Sequence, residues 1–230
     1  MNAALNQMTR LWFRSCQALG GTIVGQVNNF LEMYSLFYAT MIRLFRFPWR
    51  VGEINKSIVQ IGIGSLPIIT IATAFAGVVI TNEMAYHMDL ALHSVTMIPG
   101  VTRQFILREL GIVIPALLMV AKVGASITAE IGSMKVTEQI DALRLLGIDP
   151  VSYLVFPRFV ASIISTVCMT MFAIGITVLC AVAVATTQLG FGAGEYLNIL
   201  RQYVAADDIA LALAKAVVFG SIIPIVSCSY

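Results

Sequence analysis

The sequence predicts an all-α integral membrane protein, and three observations carry that prediction. Of 230 residues, 59% are hydrophobic and 11% are charged, against about 45–50% and about 25% in an average soluble domain. Mean hydropathy is +0.89. The apolar residues gather into four runs, each about as long as the 20 residues a helix needs to cross a bilayer. So few ionised groups cannot cover a soluble sphere of this size. The same numbers exclude a disordered chain, a collagen-like repeat and an ordinary cytosolic enzyme. A net charge of +2 offers no basic surface for nucleic acid. The whole chain, 1–230, reads as a single transmembrane domain.

The elements follow in order. Residues 1–20 are expected not to act as a cleavable signal peptide, because Arg10, Arg14 and Gln17 interrupt any apolar stretch. Over 26–46, Val27, Phe30, Leu31, Tyr34, Phe37, Met41, Leu44 and Phe45 recur at helical spacing, with Asn28, Asn29, Glu32, Ser35, Arg43 and Arg46 opposite. That pattern predicts an amphipathic helix lying in the membrane interface; the alternative is a helix packed on the rest of the protein. Pro48 stops it, and Trp49 and Arg50 suit an interfacial anchor. The spans are expected at 57–80, 110–129, 159–187 and 209–230. The second is interrupted only by Lys122 and the fourth only by Lys215. The third would be about 43 Å long at 1.5 Å per residue, so it must tilt or project.

Charge sets the orientation. Arg10, Arg14, Arg43, Arg46, Arg50, Lys56, Lys135, Arg144 and Arg158 lie on one side of the expected spans, and Arg103, Arg108 and Arg201 on the other. The richer side, with the N-terminus and the 130–158 connection, is expected in the cytoplasm. Lys122 and Lys215 remain inside the bilayer.

The connection between the second and third spans reads EIGSMKVTEQIDALRLLGIDP over 130–150. Ser133 suits a helix N-cap, Gly147 the left-handed C-terminal position, and Pro150 a stop. The expected element is a short helix over 133–147 with Val136, Ile140 and Leu143 as apolar positions and Lys135, Glu138, Asp141 and Arg144 as charges. It is either a docking element for a partner or a surface helix without one.

At this point the residues carry a resemblance. RELG at 108–111, GAS-TAEIG at 124–132, M-x-x-TEQIDAL from Met134 to Leu143, DP at 149–150 and PRF at 157–159 resemble the signature of the MlaE/YrbE family. These are permease subunits of ABC transporters that move phospholipids and other lipids across the bacterial envelope. The resemblance implies a multi-pass protein of the bacterial inner (cytoplasmic) membrane. It implies an interfacial helix at 26–46 and a cytoplasmic coupling helix seated in a groove of a separate ABC ATPase subunit. The ATPase-coupling set would be Glu130, Met134, Lys135, Glu138, Gln139, Asp141, Leu143 and Arg144. ATP and Mg would be bound by that ATPase, with no cofactor and no metal in this chain. A second copy of the chain and a periplasmic MCE-domain protein complete the implied assembly. The family usually has an Arg where this sequence has Lys122, and usually continues past a Tyr-Gly step into a fifth span. The sequence stops at Tyr230, so a complete subunit is expected to carry one helix more.

Individual residues extend this reading. Ionisable groups inside a span cost several kcal/mol unless paired or hydrated. Lys122 shares a helix face with Ser126 and Glu130, but Glu130 is two turns away, out of direct reach in a straight helix; the alternative for Lys122 is snorkelling to the cytoplasmic side. Lys215 is placed to meet an anionic headgroup or a partner on another helix. The family's RELG glutamate faces a central cavity, which implies Glu109, beside Arg108, as a polar lining residue; the alternative is a structural ion pair. Glu83, Met84 and Tyr86 at the outer end of the first span complete the expected lipid cavity, or simply pack.

No HExxH, GxSxG or P-loop pattern occurs, so this chain is expected not to be an enzyme. An intramembrane lipid-modifying enzyme would need Glu109 and Lys122 together, and these are roughly 220° apart on an α-helix. A structural membrane subunit is the other alternative. Cys16, Cys168, Cys180 and Cys228 form no CxxC pair and read as packing residues.

Overall fold

The computed structural model describes residues 20–21, 24–28, 30–42, 51–92 and 98–229. Among them the regular structure is helical throughout, with no strand. The N-terminal helix α1 covers 24–28 and 30–42. Among the described residues, four long helical segments are apolar enough to cross a membrane: Val51–Met88, Gly100–Val136, Val151–Gln188 and Ala206–Cys228. The first is α2 (Val51–Ile61), a tight turn (Ile63–Ser65) and α3 (Leu66–Leu92). The second is α4 (Ile98–Phe105), α5 (Gly111–Met119) and α6 (Ala125–Val136), joined by π-helical turns at Ile106–Leu110 and Val120–Gly124. After α7 (Gln139–Leu145), a third π turn (Val151–Val155) opens α8 (Phe156–Gln188). The last elements are α9 (Ala193–Tyr203) and α10 (Ala206–Cys228).

The spans are longer than the sequence runs predict, at 57–80, 110–129 and 159–187 especially. Those runs stop at the first charged residue, whereas a helix continues wherever its charges find partners. Glu53 and Lys56 pair across 3.3 Å at the start of the first span, and Glu83 faces His87 at 3.2 Å near its end. The third span begins earlier because Asp149 caps it. Its carboxylate accepts from the Val151 N–H at 3.3 Å and the Ser152 hydroxyl at 2.8 Å. Pro150, expected as a stop, is helical and follows that cap, where its missing N–H costs nothing. The fourth span begins at Ala206 rather than 209 and is described to Cys228.

The long helix α8 is the hub, packing against α2, α3, α5 and α10. Met119, Val123, Ala161, Met169, Ala173 and Ile223 form its central apolar contact. Two glycines permit the closest crossings. A Cβ on Gly77 of α3 would lie 2.7 Å from the Thr177 carbonyl oxygen, and one on Gly220 of α10 would lie 2.9 Å from Ile163 Cα. Buried threonines along α8 satisfy themselves: Thr166, Thr170 and Thr177 each donate to the carbonyl one turn back at 2.7–2.8 Å.

Helix α1 packs on the rest of the protein by one face. Met33, Phe37 and Met41 pack against Phe156, Phe159 and Ile225, while Phe30, Leu31, Tyr34 and Tyr38 stay exposed. Residues 43–46 of the expected 26–46 helix lie outside the described residues, as does Cys16. Cys168, Cys180 and Cys228 are free thiols.

Candidate functional site

One end of the bundle, where α9 lies, gathers charge. Asp208, in the first turn of α10, is 2% exposed. Arg103 Nη1 donates to its Oδ2 and Arg108 Nε to its Oδ1, each at 2.7 Å. A carboxylate this buried is tolerable because both oxygens meet a cation. Lys215, two turns further along α10, donates to the Arg108 carbonyl at 2.7 Å and lies 3.6 Å from Glu109. That carbonyl belongs to the π turn Ile106–Leu110. Such a turn inserts a residue into an α-helix and frees backbone groups. The sequence of one turn thus presents Arg108 to Asp208 and Glu109 to Lys215. Nearby, α9 is anchored by fully buried Tyr196 against Ile106, Ala181 and Ala185. Burial pushes the Tyr196 phenol above its ordinary pKa, and the Thr102 hydroxyl beside it acts the other way.

The second π turn, Val120–Gly124, carries Lys122. Its ammonium donates to the Gly64 carbonyl, in the tight turn that breaks the first span. Lys122 thus does not pair with Glu130, as its spacing implied; it reaches across to the neighbouring span at the break between α2 and α3. Glu130 instead meets Arg158 Nη2 at 2.6 Å, and Thr128 donates to the Ser227 carbonyl at 3.2 Å. These contacts tie α6 to the start of α8 and the end of α10.

The expected helix over 133–147 is corrected to a corner. Ser133, Met134 and Lys135 are the last turn of α6, and Ser133 is no cap: its carbonyl accepts from Thr137 N–H at 3.0 Å and from Thr137 Oγ1 at 2.8 Å. The chain breaks at Glu138, which takes φ 56°, and α7 begins at Gln139. Its end follows the sequence pattern. Gly147 has φ 71°, with Gly147 N–H bonded to Arg144 O and Ile148 N–H to Leu143 O, each at 3.0 Å, the paired bonds of a Schellman ending. Asp141 and Arg144 pair at 3.3 Å on its surface. Val136, Leu145 and Leu146 are 85%, 90% and 73% exposed. Between this corner and α1 lies a groove of about 530 Å³ lined by Glu32, Ser35, Ile131, Lys135, Asp141 and Arg144.

Comparison with known proteins decides what this arrangement belongs to. The family described as Permease MlaE matches residues 54–230. The chain belongs to the MlaE permease family. A probable ABC transporter permease protein of Rickettsia conorii is 38% identical over 196 residues, covering 85% of this chain and 75% of the relative. Proteins of the same description from the cyanobacterium Synechocystis and from Porphyra purpurea are 32% and 31% identical, covering 78% and 85% of this chain and 70% and 74% of the relatives. The protein is thus a multi-pass ABC transporter permease of the MlaE family, a class of subunit that works with an ATPase.

Within this permease, the structure sorts the residues that the sequence singled out. Arg108, Glu109 and Lys215 come together, and Asp208, missed by the sequence reading, joins them. The signal was present: two arginines open one span and two aspartates open another that starts on the same side. Glu83 and Tyr86 are exposed on α3, where Glu83 faces His87 and the Tyr86 ring meets the His87 ring edge-on at 5.8 Å. Met84 is half-buried. No ion pair among the described residues joins this group to the Arg108–Lys215 cluster. Of the expected coupling residues, Glu130 lies in the bundle on Arg158, Met134 and Lys135 end α6, Glu138 forms the corner, and Gln139, Asp141, Leu143 and Arg144 belong to α7.

Proposed function

We propose that this permease moves phospholipid or a related lipid between the bacterial inner membrane and a periplasmic MCE-domain protein. It does so as a pair of identical chains, while a separate subunit hydrolyses ATP. The α6–α7 corner carries the reading. A short helix stands off a long membrane-spanning one, held by a left-handed residue and a Schellman ending, with apolar side chains exposed beside the Asp141–Arg144 pair. In this reading α7 is the element seated in the ATPase. The end carrying α7 faces the cytoplasm, in keeping with the side richer in Lys and Arg. The Arg108–Glu109–Lys215 cluster then opens towards the periplasm, where it meets lipid headgroups. The chain itself performs no covalent chemistry.

The test is reconstitution in vesicles with the ATPase and MCE partners, following ATP-dependent transfer of a fluorescent phospholipid. Glu138→Pro is the informative variant. Proline fixes φ near about −65°, which the 56° corner forbids, so α7 must swing away. The expected outcome is a folded, inserted permease whose partner retains only its basal ATPase rate and transfers no lipid. Normal stimulated hydrolysis by the assembled variant rejects the coupling role of α7.

A further inference from the structure

The α7 end of the bundle holds a polar cleft that neither the ion-pair cluster at the other end nor the α7 corner accounts for. It is lined by Ser57 and Gln60 of α2, Lys122 and Ser126 on one face of the second span, Glu130 of α6 and Arg158 of α8. Arg158 is 9% exposed. One of its terminal nitrogens holds Glu130, and the other, Nη1, is buried with no hydrogen-bond partner among the described residues. A guanidinium carries five donors and an ammonium three, so Lys122, bonded to the Gly64 carbonyl, also has donors to spare. Two cations against one carboxylate leave the cleft one positive charge in excess. Uncompensated charge and unused donors are costly at membrane depth.

We infer that this cleft binds the phosphate group of an anionic ligand, with Lys122 and the Arg158 guanidinium, whose Nη1 has no partner of its own among the described residues, as its donors and Ser57 and Ser126 as neutral hydroxyl partners. A singly charged phosphodiester balances the cleft's excess, whereas a phosphate dianion overcharges it. The chemistry thus fits a lipid headgroup entering from the leaflet at the α7 end. This rests on the lipid-transport reading and deepens it. The permease has two headgroup stations, one at each end of the bundle, and the station at the α7 end is built on the carbonyl of a broken first span. A lipid seated there leans on Lys122, which itself props Gly64, so loading is felt by the break between α2 and α3.

The test uses the full chain purified in detergent, titrated with dioleoylphosphatidylglycerol and read by native mass spectrometry as the number of lipids retained. Lys122→Gln removes a charged donor and should weaken one binding event about tenfold. Ser126→Leu fills the cleft while keeping every charge, so it answers for the case in which Lys122→Gln does not fold. Loss of one lipid in either folded variant supports the inference. Retention of the wild-type number in both overturns it, as does failure of the wild-type chain to retain phosphatidylglycerol. A competing arm with millimolar inorganic phosphate separates the sources. Displacement assigns recognition to the phosphate group alone, and persistence of a lipid that the variants lose assigns it to the intact lipid. ATP-driven transfer in vesicles is scored separately. Lost transfer with the cleft lipid retained by the wild-type chain rejects the transport reading alone, and intact transfer with unaffected variants rejects the second station alone.

Discussion

At the scale of single residues, Asp208 is tightly constrained, a carboxylate held by two arginines at the mouth of two spans. Removing one partner of a buried charge network costs more than removing an exposed pair, because the remaining charges lose compensation. Asp208→Asn should therefore lower the melting temperature of the purified permease more than Lys215→Met, since Lys215 is half-exposed and its Glu109 contact is 3.6 Å. A thermal-shift series in detergent checks the order, and equal shifts would contradict it. The sequence could nominate Arg108, Glu109 and Lys215 because charge inside an apolar run is conspicuous. It missed Asp208 because that residue sits just before the run, where charge is expected. It placed Lys122 out of reach of Glu130, which holds, but could not name its partner, a backbone carbonyl of the neighbouring span, because a one-dimensional pattern carries no sign of which helices lie side by side.

At the scale of elements, α8 gathers the others, and its crossings are set by missing side chains. Gly220→Ala places a methyl 2.9 Å from Ile163 Cα, against backbone that cannot swing aside. The expected destabilisation is about 1–3 kcal/mol, read by denaturant titration in detergent. Gly175, on α8 itself, has open space at its Cβ position; alanine there should be neutral or mildly stabilising. The existence of the four spans was plain from hydropathy, but their ends were not. Caps such as Asp149 and ion pairs such as Glu53–Lys56 extend helices beyond the apolar runs. The single helix expected over 133–147 became a corner because α6 continues through Val136, three residues past the cap position that Ser133 suggested.

At the scale of the whole molecule, the charge asymmetry makes a directional claim. With the native cysteines replaced, a Leu146→Cys probe beside α7 should react with an impermeant maleimide only from the cytoplasmic face. A Gly194→Cys probe in α9 should react only from the opposite one. Both positions are exposed, so labelling reports sidedness rather than burial, and the reverse pattern would invert the topology. The family was easier to read than the arrangement of the site. Composition and the block from Arg108 to Phe159 fix the family at sequence level, whereas the pairing of α4 with α10 is made by residues about a hundred positions apart.

The π turns of the second span alter how that span counts residues. Deleting one residue from an ordinary stretch such as Gly111–Met119 turns everything beyond by about 100° and draws it back by about 1.5 Å, carrying Glu130 away from Arg158. Deleting one from Ile106–Leu110 or Val120–Gly124 lets the wide turn relax to an α-turn and leaves both flanks in phase. The span thus holds two slack links in an otherwise fixed chain of register. Each coincides with a charged side chain, so shortening the helix there would keep the flanks in phase while withdrawing Arg108 from Asp208, or Lys122 from the Gly64 carbonyl.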